Sequence, residues 1–152
     1  MSVVVRFSGP RTADVHTVAD PPLEPGQVRV QTIYSGISAG TELTAYRGSN
    51  PYLSKHWDQH NRMFVDGEST LAYPVEGPGY EEVGRIAEAA DDVQGVSVGD
   101  IVFGTWGHRS SALISGEYAA AGVLPPGTDP IIASSLTSER SLSTPCWMPT
   151  SM

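Results

Sequence analysis

Short runs of alternating apolar and polar residues, separated by Gly and Pro, recur along the chain. The clearest is "VRVQTIYSG", in which the apolar positions alternate with Arg29 and Gln31, a period-two pattern that predicts a strand. Runs with strand character also occur at 2–7, 15–18, after Tyr80, at 101–104 and twice within 110–127. Many short strands joined by turns predict a mainly β protein, a barrel or a sandwich.

Two segments depart from this pattern. "TELTAYRG" predicts a short helix, with Thr41 as N-cap, Glu42 at the positive end of the helix dipole and Gly48 at the C-cap. The polar and aromatic stretch 49–74 shows no clear period, so we expect a long excursion loop. Gly84 interrupts the strand after Tyr80, as at a bulge or a close backbone approach.

Composition narrows the class of protein. The chain has 152 residues, 39% hydrophobic and 17% charged, which fits one globular domain. A net charge of −8 disfavours nucleic acid and anionic membranes as partners. One cysteine excludes an intrachain disulfide and a cysteine-rich zinc lobe. Neither a signal peptide nor a run of about 20 apolar residues is visible, so we expect a soluble cytoplasmic protein.

The last residues change in character. Ser, Thr and Pro dominate 136–152, which also holds Cys146, and no apolar period is visible, so we expect a domain over 1–135 and an irregular, disordered tail. Cys146 has no base nearby in sequence and is interpreted as an incidental free thiol.

Three segments occur in the order and spacing of a known family: "EPGQVRVQTIYSGISAGTE", "GPGYEEVGRI" and "VSVGDIVFG". Together they resemble the medium-chain dehydrogenase/reductase superfamily, the zinc alcohol dehydrogenases and their zinc-free quinone-oxidoreductase-like relatives, over about residues 3–135. The resemblance implies a GroES-like β-barrel with one or two short helices, the substrate-side domain of enzymes that use NAD(P). Such enzymes continue into a Rossmann domain, but no G-x-G-x-x-G follows a strand here. We therefore expect a truncated or frame-shifted product that departs from the family near Leu136; the alternative is a natural short isoform.

The resemblance also indicates altered metal chemistry. Zinc relatives carry Gly-Ile-Cys and Gly-His-Glu, whose Cys and His bind zinc, where this chain has Ser38 and Tyr80. A serine hydroxyl does not ionise near neutral pH as a thiol can, so we expect no zinc. The remaining hydrogen-bond donors, Thr41 and Tyr80 with support from Ser38, become the candidate catalytic residues that polarise a substrate oxygen. Alternatively, Tyr80 is only a buried aromatic and Thr41 only a helix cap.

Five further residues are candidates for substrate binding. Glu42 and Glu81 match acidic positions around the zinc site of the relatives, although Glu81 and Glu82 could be a surface pair whose side chains face opposite ways. His108 lies where relatives often place a His, with a structural role favoured. Aromatic residues of the 49–74 stretch could line a cleft or form the stretch's own small core. The five candidates are Glu42, Tyr46, Trp57, Glu81 and His108.

The spacing of His56 and His60 is that of a helical metal-binding pair, but the flanking residues are typical of a loop. We therefore predict no metal ligand there.

These observations favour part of a zinc-free, NAD(P)-dependent oxidoreductase that acts on a small carbonyl, alcohol or enone, inactive without a cofactor domain. Two alternatives stay open. One is a non-catalytic GroES-like interaction module, which could form a homo-oligomer through an exposed apolar surface. The other is a zinc enzyme with altered ligands.

Overall fold

The computed structural model describes residues 1–133, which form nine strands and three short helices. The strands are β1 (Ser2–Gly9), β2 (Thr12–Val18), β3 (Gln27–Gly36), β4 (Lys55–Asp58), β5 (Met63–Asp66), β6 (Val75–Glu76), β7 (Glu81–Ala89), β8 (Ile101–Gly104) and β9 (Ser111–Ser115). The helices are α1 (Thr41–Arg47), α2 (Gly116–Ala120) and α3 (Pro130–Ala133), with a 3₁₀ turn at Pro51–Leu53. The prediction of a mainly β fold is confirmed.

The strands pair antiparallel into three sheets. A four-stranded sheet has the order β8-β7-β3-β9, a three-stranded sheet the order β2-β1-β6, and β4 and β5 form a hairpin. The segment after β8 connects the first two sheets, because the Ser110 N–H donates to Val3 of β1 and the Ser110 carbonyl accepts from the Thr32 N–H of β3. This segment therefore holds His108 between the sheets.

The main apolar core lies in the four-stranded sheet. Val28, Val30, Ile86 and Val102 are fully buried there and pack with Trp106. Gly84 lies in the same sheet, and a Cβ on it would lie 2.7 Å from the Gln31 carbonyl oxygen. The expected close backbone approach at this glycine is confirmed. A smaller cluster, of Phe7, Ala45, Val75 and neighbouring aromatics, packs α1 against β1.

Three local predictions need correction. The stretch 49–74 is not an irregular loop, because it contains the 3₁₀ turn and the β4–β5 hairpin. Edge-to-face contacts among Tyr52, Trp57 and Phe64 stabilise this region, and these contacts do not produce a period in the sequence.

Residues 116–120 form α2 rather than a strand, because the Ser115 side chain caps the helix by accepting from the Tyr118 N–H. The helix at α1 and its left-handed C-cap at Gly48 are confirmed, but its N-cap is Gly40, not Thr41. The expected tail, 136–152, and the boundary at 135 lie outside the described residues.

Candidate active site

The turn 37–40 places its residues against the start of β7. Gly36, the last residue of β3, pairs with Glu81, the first residue of β7. The turn then leads directly into α1. Ser38 organises this connection, because its N–H donates to Glu42 Oε1 over 3.1 Å and its Oγ accepts from the Thr41 N–H over 3.4 Å. Thr41 itself is exposed and is the first residue of the helix.

Glu42 points inward from the first turn of α1. Its side chain is only 1% exposed, and Oε2 lies 2.7 Å from His108 Nε2. His108 is 9% exposed. Since buried charges are costly unless they are paired, this contact explains how a glutamate can occupy an interior position of α1.

The other ring nitrogen of His108 faces a second buried acid. Nδ1 forms a hydrogen bond with Ser35 Oγ, and the Ser35 hydroxyl lies 3.3 Å from Glu82 Oε1. Glu82 is 0% exposed, and its Oε2 accepts from the Trp106 N–H over 2.9 Å. We call Ser35, Glu42, Glu82 and His108 the acid–imidazole network. It connects β3, α1, β7 and the segment after β8.

Burial sets the electrostatics of this region. It raises the pKa of Glu82, against the opposing effects of the Trp106 N–H and the nearby His108. Burial also raises the pKa of Glu81, and the negative charge of Glu42 adds to that rise. Both shifts favour the protonated acid, so this part of the molecule resists the accumulation of negative charge.

The structure brings most of the predicted site residues to one edge of the sheet. Glu81 lies beside the turn, since a Cβ on Gly36 would be 2.7 Å from Glu81 Oε2. Tyr80 directly precedes it and is 9% exposed, with its carbonyl accepting from the Thr105 hydroxyl over 3.3 Å. The residues assembled at this edge are Ser38, Thr41, Glu42, Tyr80, Glu81 and His108.

Tyr46 and Trp57 belong to other packing clusters. The Tyr46 ring packs edge-on against Phe7 with 5.5 Å between centroids, and its hydroxyl donates to the Arg11 carbonyl over 3.1 Å. Trp57, 38% exposed on β4, packs against Phe64 with 5.1 Å between centroids. Each ring therefore has a structural partner, and the assignment of both to substrate binding stays a prediction.

The helical geometry that a His56–His60 metal pair needs is not present. His56 lies on β4, and His60 lies in the following turn, where its N–H donates to Asp58. Among residues 1–133 no group of three or more His, Cys, Asp or Glu side chains is arranged to hold a metal ion.

The donor set at the edge also does not fit the zinc of the family. Ser38 and Tyr80 offer an aliphatic hydroxyl and a phenol where the zinc relatives offer a thiol and an imidazole. A catalytic zinc takes three protein ligands of the Cys, His or carboxylate type. The matching positions offer only the two carboxylates of Glu42 and Glu81, and both oxygens of Glu42 already accept hydrogen bonds.

Sequence reasoning missed Ser35 and the burial of Glu82. Residues 82, 84 and 86 lie on one face of β7, and all three are buried. Because the apolar Ile86 marks that face as the inner one, strand alternation could have placed Glu82 inside. Nothing in the pattern of β3 distinguishes Ser35 from an ordinary exposed serine.

The fold defines the class of the protein. The mainly β chain matches 2R,3R-butanediol dehydrogenase from Bacillus subtilis with a TM-score of 0.63 and 18% identity, over 88% of this chain and 43% of that one. It matches human synaptic vesicle membrane protein VAT-1 homolog-like protein with a TM-score of 0.59 and 17% identity, over 88% and 39% of the two chains. The domain is thus a GroES-like β-barrel of the type found in alcohol dehydrogenases.

Sequence comparison identifies the family. The chain is 34% identical over 102 residues to 2-desacetyl-2-hydroxyethyl bacteriochlorophyllide A dehydrogenase of Cereibacter sphaeroides, covering 67% of this chain and 27% of that protein. The protein of the same name from Rhodobacter capsulatus is also 34% identical over 102 residues, covering 66% and 26%. No protein-family model matches. The chain belongs to the medium-chain dehydrogenase/reductase superfamily, and it spans about a quarter of the length of these two relatives.

No helix within residues 1–133 combines the length and the apolar character needed to cross a membrane.

Proposed function

We propose that residues 1–133 form the substrate-side domain of an NAD(P)-dependent, zinc-free oxidoreductase that acts on a small carbonyl, alcohol or conjugated enone in the cytoplasm. One observation carries the proposal. The turn 37–40 and the start of β7 share an edge where Thr41 is exposed and where neutral hydroxyls replace the zinc-binding side chains of the family. The two bacterial relatives are themselves named as dehydrogenases.

The chemistry at this edge follows from the side chains. Bound NAD(P) supplies or accepts the hydride. The Thr41 hydroxyl donates a hydrogen bond to the substrate oxygen, where negative charge develops as a carbonyl is reduced. Thr41 is free for this role because Gly40 occupies the N-cap. Tyr80 is the second donor, and Ser38 fixes the position of Thr41 through its contact with the Thr41 N–H.

Turnover tests the role of Thr41. The chain is joined to the part of the Cereibacter sphaeroides dehydrogenase that lies beyond the matched residues, and NAD(P)H oxidation is followed with a panel of aldehydes, ketones and enones. We expect Thr41→Val to lower kcat by about 10²-fold or more, because a hydrogen bond made in the transition state is lost. Thr41→Ser keeps the hydroxyl and should stay within a few-fold of the parent enzyme. Equal rates for all three proteins would refute the role of Thr41.

Elemental analysis tests the absence of zinc chemistry. We expect the purified chain to contain no stoichiometric zinc and the turnover to survive a chelator. The double variant Ser38→Cys, Tyr80→His restores two ligand types next to Glu81 and should gain zinc affinity. A parent protein that carries one zinc per chain would contradict the proposal and favour a zinc enzyme with altered ligands.

The 152-residue chain by itself should show no turnover above the blank, because the proposal places the nicotinamide on a separate domain. Light scattering on the same sample addresses the alternative of an interaction module. A defined homo-oligomer of the chain, without turnover in any longer form, would favour that alternative.

A further inference from the structure

The acid–imidazole network contains two buried acids, one histidine and a serine hydroxyl that lies between Glu82 and His108. We propose that it holds one transferable proton, which the Ser35 hydroxyl passes between Glu82 and His108, and that it exchanges this proton with the substrate oxygen. The exchange with substrate rests on the proposed oxidoreductase function, whereas the proton sharing does not. No residue of the network except Glu42 and His108 was a candidate from sequence.

Two hydrogen-bond arrangements satisfy the same atoms. In the first, Glu82 carries a proton on Oε1 and donates it to Ser35 Oγ, and the Ser35 hydroxyl donates to Nδ1 of a neutral His108. In the second, the proton of Glu82 has moved to Ser35 Oγ while the Ser35 proton has moved to Nδ1. An ionised Glu82 then accepts from Ser35, and His108 is an imidazolium. His108 Nε2–H donates to Glu42 in both arrangements.

The remaining contacts fix which oxygen can carry the proton. Glu42 accepts on both oxygens, from Ser38 N–H and from His108, so it is satisfied as a carboxylate. Glu82 Oε2 accepts from the Trp106 N–H. Only Glu82 Oε1 faces a hydroxyl that can either accept or donate, so the proton can move only toward Ser35.

Charge explains why one proton is retained. With both acids ionised and His108 neutral, two negative charges would be buried together with no positive charge, whereas one added proton brings the net charge of the network to −1 in either arrangement. The ionisable groups that face His108 are Glu42 from α1 and Glu82 from β7. Glu81 adds repulsion through Glu42, and the neighbouring Arg109 directs its guanidinium to Gly77 instead.

The network adjoins the proposed active-site edge through Ser35. Ser35 is its only exposed member and lies one residue before Gly36, the partner of Glu81. The backbone of Gly79, next to Tyr80, covers the network so closely that a Cβ there would be 2.7 Å from both Glu82 Oε1 and His108 Nδ1. Reduction of a carbonyl adds a hydride at carbon and a proton at oxygen. The network gives up its proton to that oxygen through Ser35 and regains one from solvent afterwards.

Nitrogen NMR of the histidine rings in the 152-residue chain tests the proton sharing without any turnover. In the parent protein we expect Nε2 of His108 to stay protonated while the Nδ1 shift lies between the protonated and unprotonated limits. Ser35→Ala should abolish any intermediate Nδ1 shift that is independent of pH and leave one simple step between the protonated limit at low pH and the unprotonated limit at high pH. Ser35→Thr keeps a hydroxyl on the same strand and should preserve the parent shift. A parent Nδ1 at a fixed limit, or an Ala variant with the parent shift, would overturn the proton sharing.

The turnover assay then tests delivery to substrate. We expect Ser35→Ala to lower kcat at least tenfold and to change its pH dependence with KM nearly unchanged, and Ser35→Thr to restore both. A parent-like pH profile and kcat in the Ala variant would overturn the delivery step. If the NMR result holds but no carbonyl, alcohol or enone is turned over by the parent enzyme, the proposed function fails and the delivery step fails with it, while the proton sharing stands.

Discussion

On the face of the β3–β7 pair that carries Val30, Ile86 and Glu82, the two ends bury opposite kinds of side chain. At one end Val28, Val30 and Ile86 are fully buried and belong to the apolar cluster of the main core. At the other end the same two strands bury Glu82 and direct Ser35 toward His108. The apolar end needs only volume and shape, which several side chains can supply. The polar end needs each partner in place, because an unpaired acid there cannot return to water.

The largest difference in stability between the two ends is expected when the imidazole of His108 is removed. We expect His108→Leu to lower the free energy of unfolding by about 3–5 kcal/mol at pH 7, because Glu42 and Glu82 then stay buried without the imidazole that faces both of them. Urea denaturation gives the value. The loss should shrink at lower pH, where Glu82, whose pKa is raised by burial, becomes protonated.

His16→Leu is the matched control for this change. The partly exposed His16 side chain contacts Glu76 on the surface, and exposed pairs contribute only about 0–1 kcal/mol. Equal losses in the two leucine variants would mean that the polar end has no special dependence on its partners.

A smaller effect is expected at the junction of the two ends. Trp106 packs in the apolar core while its Nε1–H donates to Thr32 Oγ1 over 3.0 Å. Thr32→Val keeps the shape but leaves this N–H unpaired, and we expect a loss of about 1–3 kcal/mol by urea denaturation. The same change at the exposed Thr17 of β2 should stay within about 0.5 kcal/mol. A loss at Thr32 no larger than at Thr17 would show that the indole N–H finds water instead.

The same contrast explains what could be predicted from the sequence. The apolar end follows from alternation, since Val28 and Val30 mark the inner face of β3 and Ile86 that of β7. Ser38, Thr41 and Tyr80 became candidate site residues because they lie in sequence motifs that resemble those of the medium-chain dehydrogenases. The acid–imidazole network could not be predicted in this way, because it joins residues 35, 42, 82 and 108 through tertiary contacts that leave no local period. The β4–β5 hairpin was missed for a similar reason, since its aromatic contacts cross between short strands.

The stability of the polar end should depend on pH. Glu82 has a pKa raised above its ordinary value of 4.5, mainly by burial. At a pH between the unfolded-state and the folded-state pKa of Glu82, the native state binds more protons at this group than the unfolded state does. The free energy of unfolding that this group contributes therefore falls as the pH rises through that interval, by at most about 1.4 kcal/mol per pH unit. Glu82→Gln cannot ionise, so the stability of the variant relative to the parent should improve over the same interval. Thermal unfolding from pH 4 to pH 8 measures this difference, and a constant difference would contradict the raised pKa.

The mildest change is made at the apolar end. Ile86→Val removes one buried methylene from a side chain that is 0% exposed, and we expect a loss of about 0.5–1.5 kcal/mol from lost transfer free energy and a small cavity. The side chains of residues 1–133 that pack in the cluster around Ile86 are apolar, so the loss should be equal at pH 5 and pH 8, in contrast to His108→Leu. Urea denaturation of both variants at both pH values makes the comparison direct. A loss in Ile86→Val that grew with pH would mean that the two ends are coupled, because a change of packing at one end would then alter the proton affinity of the acids at the other.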